Sequence, residues 1–177
     1  MSDFLIEHTP SAYKYPLLIK HLLHAPMTQS ADQEIVYRDL SRYTYRDLRQ
    51  RIGRLASGLT ANGVRRGDVV GMLDWDSHRY LESYFAIPML GATLQTVNIR
   101  LSPEQVLFTL NHARPKLLLV NVEFLPLIEQ LHGQLESVEG IILMSDDGVL
   151  PNSLPKAVGH YEAVSYTHLT LPNERIV

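Results

Sequence analysis

At 177 residues the chain is long enough for one domain with a sizeable core. Its net charge of -3 leaves no basic footprint for nucleic acid, and the absence of cysteine removes disulfides, thiolate nucleophiles and Cys-ligated zinc. No apolar run is long enough to span a bilayer, and the start MSDFLIEHTP lacks the basic and apolar regions of a secretory signal, so a soluble, cytoplasmic chain is expected.

Residues 1–34 read as a lead-in containing a short helix, with Leu17, Leu18, Leu22 and Leu23 as its apolar stripe and Pro16 and Pro26 as its brackets. Glu34–Tyr37 reads as a strand that pairs with Tyr43–Tyr45. Thr44 and Asp47 have capping-box spacing, and Leu48, Ile52, Leu55, Ala56 and Leu59 recur at helical period behind them. Gly63 is placed to end that helix in a left-handed conformation. After a turn at Arg65–Asp68, Val69–Leu73 reads as a strand buried on both faces. Ser77 caps a helix whose apolar residues are Leu81, Tyr84 and Phe85, which Pro88 should kink or shorten and Gly91 should close.

Thr93–Val97 follows as a strand. Ser102, Pro103 and Gln105 carry three start signals of a further helix. Lys116–Asn121 is a strand, Phe124, Leu127, Ile128 and Leu131 mark a helix, and Val138–Met144 is the last strand. From Ser145 to His160 periodicity is lost, and Asp146, Asp147, Gly148, Pro151, Asn152 and Pro155 indicate a surface loop. Strands and helices alternate through short connections, which favours an α/β fold with a largely parallel sheet flanked by helices.

Several segments together resemble a known family. They are the aromatic-Thr-Tyr start at Tyr43–Leu48, Gly63-Val64 followed by Gly67-Asp68-Val69-Val70, Leu81–Ala86 with Gly91-Ala92, Asn98 with Arg100–Pro103, Asn111-His112-Ala113, Phe124–Ile128 and Tyr161-Glu162-Ala163. In these the chain resembles the adenylate-forming (AMP-binding) acyl-CoA synthetases, in particular their medium- and long-chain fatty acid branch. It departs from that pattern at Asp76, where Asn is expected, at Gln95, where His is common, and at Ile99, where Pro is common. The resemblance implies an incomplete sheet, part of the large N-terminal domain of such an enzyme, over residues 1–163.

It also implies a parent enzyme that joins a fatty acid to coenzyme A. The carboxylate attacks the α-phosphate of ATP with Mg2+ present, giving an acyl adenylate and pyrophosphate; the thiol of coenzyme A then displaces AMP. The parent is expected to be a homodimer, with no nucleic acid partner. No Gly/Ser/Thr/Lys phosphate loop occurs in the chain, so no catalytic, cofactor-binding or metal residue is assigned, and the chain alone is expected to be inactive. The competing expectation is a complete non-enzymatic α/β binding or interaction module. Residues 164–177 are expected to be non-native: Val164–Pro172 resembles a translated sequencing adapter.

Other candidate residues have plain readings. Asp74, Trp75, Asp76, Ser77 and His78 lie between a strand and a helix, where a metal site or a proton carrier is conceivable, but a turn and helix cap explains them. Asn98 and Arg100 could approach a substrate channel, and are read instead as fixing the loop before the next helix. Arg49, Arg51, Arg54, Arg65 and Arg66 are read as a solvated face. His21 and His24 share a helical face without a zinc pattern and are placed at the surface or boundary. The tyrosines are assigned to core and boundary packing.

Overall fold

The computed structural model describes Pro10, Ser11, Tyr13 and residues 15–149 and 156–166, the last two without their side chains. Within these, the lead-in is a 3-10 turn, Ile19–Leu23, running into α1, His24–Gln29. Its four-leucine stripe does not form: Leu23 is buried, whereas Leu17 is 95% and Leu22 66% exposed. Pro26 lies inside α1 rather than beyond it, in the first turn, where no backbone N–H is required.

A hairpin of β1 (Glu34–Tyr37) and β2 (Ser41–Thr44) leads into α2 (Tyr45–Ala61). Thr44 Oγ1 accepts from the Asp47 amide while the Asp47 carboxylate accepts from the Thr44 amide, so two orphan donors at the helix start are satisfied reciprocally. Beyond the other end, Gly63 has φ 87° and donates to the Thr60 carbonyl, a backbone state that a side chain would strain.

The remaining elements are β3 (Val69–Leu73), α3 (His78–Met89), β4 (Thr93–Thr96), α4 (Pro103–Ala113), β5 (Leu117–Asn121), α5 (Leu125–Leu131), β6 (Gly140–Met144), β7 (Ala157–His160) and α6 (Tyr161–Tyr166). The five strands from β3 onward form one parallel sheet in the order β4-β3-β5-β6-β7. Its two faces are filled separately. Val70, Met72, Leu117, Leu119, Ile142 and Met144 pack with α2, α3 and α6; Leu118, Val120, Ile141 and Leu143 pack with α4 and α5. The alternation within each strand is therefore invisible as polarity, since both faces are covered. Among the described residues β4 and β7 each pair on one side only and form the edges of the sheet, which has the parallel, helix-flanked arrangement expected.

Three expectations need correction. The segment read as a loop to His160 ends in a strand, β7, because pairing with β6 across the chain outweighs the weak local pattern of Ala-Val-Gly-His. α3 buries Tyr80, Ser83, Ala86 and Ile87 with Arg79 and Glu82, while Leu81 and Phe85 are half-buried and Tyr84 is exposed. Tyr13 and Tyr15 are exposed rather than packed in a core. Pro88 sits in the last turn of α3, which ends one residue later.

Candidate functional site

The carboxyl ends of the parallel strands carry the polar residues. In open sheets of this type ligands bind where neighbouring strands are reached in opposite directions, here between β3 and β5. That crevice is shut by its own side chains. Asn121 Nδ2, at the end of β5, donates to Asp74 Oδ1 at 2.8 Å, and Ser77 Oγ donates to the other carboxylate oxygen. Above them the Trp75 ring lies 5.2 Å from that of Phe124, and Trp75 Nε1 donates to Glu123 at 2.8 Å. Burial raises the Asp74 pKa against these hydrogen bonds. Ser77 also accepts from the Arg79 amide as the cap of α3, so Asp74 and Ser77 act as the turn and cap expected of them.

An open groove lies one strand over, between the ends of β3 and β4. It has a volume of about 290 Å3, a floor that includes Tyr80 and Val97, ring walls from Trp75 and Tyr84, and Asp76, Asn98 and Arg100 among its lining. The two motifs singled out separately in the sequence, Asp74–Asp76 and Asn98–Arg100, thus line one concavity. Asn98 fixes its loop: Oδ1 accepts from the Arg100 amide at 3.0 Å, and its carbonyl accepts from the Leu101 amide. Arg100 is exposed, so the groove has a cation at its mouth. His78 is not part of it.

His78 belongs to a second cluster on the other side of α3. Glu82, fully buried, accepts from Arg51 Nε at 2.6 Å and from the Tyr161 hydroxyl at 2.8 Å. Arg51 reaches on to Glu162 at 3.1 Å, as does Arg79 at 3.3 Å; Arg79 also pairs with Asp146 at 2.7 Å and donates to the Ser145 carbonyl. The Tyr37 hydroxyl donates to Asp146, and the His78 ring stands 3.7 Å from Glu162 and 5.1 Å from the Tyr37 ring. Burial disfavours the Glu162 charge, but the neighbouring His78, Arg51 and Arg79 prevail and lower its pKa to about 2. Charges in the cluster are matched within it, so it ties α2, α3, α6 and the β6 end together, with His78 Nδ1 buried there without a hydrogen-bond partner.

Arg51 is therefore not on a solvated face, and the correction has a simple cause: a buried partner, Glu82, lies 31 residues away, beyond local pattern. The buried roles of Arg79 and Glu82 were missed; the available signal was that both fall on the stripe with Ser83 and Ala86, one of two competing stripes on α3. Arg65 instead donates to the carbonyls of Thr60 and Val64 at the end of α2.

Residues 23–175 match the AMP-binding enzyme family. The chain belongs to that family. It is 44% identical over 108 residues to a long-chain-fatty-acid–CoA ligase of Thermus thermophilus, a match covering 61% of this chain and 20% of that protein. A 3-methylmercaptopropionyl-CoA ligase of Ruegeria lacuscaerulensis is 33% identical, over 73% of this chain and 25% of the relative. The solved anthranilate CoA ligase AuaEII, in complex with anthranoyl-AMP, superposes with a TM-score of 0.75 at 27% identity, covering 85% of this chain and 28% of that one. As an AMP-binding family member, the chain spans about a fifth to a quarter of the length of these curated relatives. No helix among its described residues is long and apolar enough to cross a membrane.

Proposed function

We propose that the chain is the N-terminal part of an AMP-forming fatty acid–CoA ligase. The observation that carries this reading is the 44% identity to a long-chain fatty acid ligase. The Asn98–Pro103 and Asn111–Ala113 patterns point the same way, whereas other relatives are named for 3-methylmercaptopropionate and hydroxybenzoate. The parent would activate the acid with ATP as an acyl adenylate and pass it to coenzyme A, as a cytoplasmic homodimer.

In that reaction this chain supplies scaffold and one groove. ATP and coenzyme A both carry an adenine ring and phosphates. Arg100 and the Trp75 and Tyr84 rings offer a guanidinium for phosphate and ring faces for the base, while Asp74 and Asp76 in the same lining would oppose an anion. Among the described residues no group of three His, Asp or Glu is set to hold a metal, and no step within this chain is routed through one. The chain alone is proposed to be inactive.

The test is acid-dependent ATP–pyrophosphate exchange by the full-length parent and by the 177-residue chain, with fatty acids and with hydroxybenzoate. Exchange by the parent with fatty acids and none by the chain is expected. Preference for hydroxybenzoate would overturn the substrate assignment, and exchange by the chain would overturn its inactivity.

We also propose that residues 164–177 are foreign to the parent. The Val164–Pro172 string supports this. Against it stand the family match, which runs on to residue 175, and the burial of Val164 in the core beside α2. A genomic read that continues uninterrupted through codon 164 into this tail would refute the boundary.

A further inference from the structure

The chain has one Asn-Gly dipeptide, Asn62-Gly63, and it lies at the end of α2. Such a pair can modify itself. The Gly63 nitrogen, once it has lost its proton to solvent base, attacks Asn62 Cγ; the bond from Cγ to Nδ2 breaks, ammonia leaves with a proton from water, and a succinimide ring remains. Water then opens the ring at either carbonyl, giving aspartate or isoaspartate. Glycine permits the approach because it has no Cβ in the way. Every other asparagine among the described residues precedes a larger side chain, Ile99, His112 or Val122.

In the fold both reacting groups are engaged in the hydrogen bonds that finish α2. Asn62 Nδ2 donates to the Gly58 carbonyl at 2.9 Å, and the Asn62 backbone amide donates to the same oxygen at 3.0 Å. The Gly63 amide donates to the Thr60 carbonyl at 3.0 Å, and the amide of the buried Val64 donates to the Leu59 carbonyl at 3.0 Å. Arg65 adds two bonds, to the carbonyls of Thr60 and Val64. The attacking nitrogen must give up its proton and turn toward Cγ, and the bond to Thr60 opposes both.

We propose that Asn62-Gly63 is a site of spontaneous deamidation and isoaspartate formation, gated by the last turn of α2: closed while that turn is intact, open when it frays. The change is one-way in effect. Isoaspartate places an extra methylene in the main chain just before Gly63, so the amides of Gly63 and Val64 lose their register with Thr60 and Leu59. It also puts a negative charge at a helix C-terminus, where the dipole opposes it. The reaction is intramolecular and needs only water. It uses no residue of the β3–β4 groove and is independent of the ligase reading.

Incubation of the 177-residue chain at mildly alkaline pH, folded and in guanidinium chloride, followed by digestion and peptide mass spectrometry, tests the site and its gate separately. In denaturant Asn62 converts first, while Asn98, Asn111 and Asn121 remain amides. In the folded chain conversion at Asn62 is slower by about tenfold or more, the scale of two hydrogen bonds that must open. Arg65→Ala, with its fold checked by circular dichroism, raises the folded rate severalfold and leaves the rate in denaturant unchanged. Methyl transfer by a protein isoaspartate methyltransferase counts the isoaspartyl product, and the aged chain unfolds at a lower denaturant concentration than the fresh one. Absence of conversion at Asn62 in denaturant overturns the site. Equal rates in the folded and denatured chain, or a folded Arg65→Ala protein that keeps the slow rate, overturn the gate; the wild-type comparison decides alone where that variant does not fold.

Discussion

Glu82 is the residue on which the ion cluster turns. It is fully buried and has two partners, Arg51 and the Tyr161 hydroxyl. Removing it takes from a largely buried guanidinium the nearer of its two counter-charges, leaving Glu162 at 3.1 Å, a change at the lower end of the about 3–5 kcal/mol that breaking a buried pair costs. Glu82→Ala is expected to lower stability by about 3 kcal/mol, read as a lower urea midpoint with an unchanged slope. Glu162 gives the cluster a pH signature. Its folded pKa of about 2 lies below the unfolded value near 4.3. Its contribution is therefore complete above that unfolded value and is lost as pH falls through about 2. Between roughly pH 5 and 2 the urea midpoint should fall, and Glu162→Gln should flatten that slope while lowering stability at neutral pH. Equal slopes in both proteins would show that other carboxylates govern the acid limb. None of these pairings was legible in the sequence, where Arg51 reads as one more basic residue on a helix. The partner separations of 31 and 111 residues explain why.

At the scale of elements, legibility follows how local the cause is. α2 and α4 were readable to the residue at their starts because a capping box is written within four positions, at Thr44–Asp47 and Ser102–Gln105. β3 was readable because five residues that are apolar or small can be buried on both faces. β7 was not, since Ala157–His160 is held by its register against β6. The inner face of α3 was misread because two stripes compete on it and only α2 and the sheet decide between them. The packing of α6 on α2 gives the sharpest test. A Cβ on Gly58 would meet the Val164 carbonyl oxygen, and Val164 Cγ1 at 2.6 Å. Alanine favours a helix interior by about 1 kcal/mol over glycine. Overpacking costs about 1–3 kcal/mol and the carbonyl cannot step aside as a flexible side chain would. Gly58→Ala is therefore expected to be net destabilising and to speed amide exchange in α6, leaving α4 unchanged. A more stable variant with a protected α6 would contradict the close contact.

The whole molecule is a parallel sheet with one feature at each level of exposure: a closed crevice between β3 and β5, an open groove between β3 and β4, and a charge cluster sealed under α6. The fold class and most strand positions were legible from alternation and turn residues. The groove was legible only as two unrelated motifs, because the parallel pairing of β3 with β4 is what brings Asp76 near Arg100. The close approach at Gly58 also bears on how the chain tolerates change. On α2 that site senses a peptide carbonyl and a single small branched side chain. A seat of this kind is selective: with Gly58 already at the limit of approach, a bulkier side chain at 164 has nowhere to go, so the contact admits a small branched residue and excludes large ones.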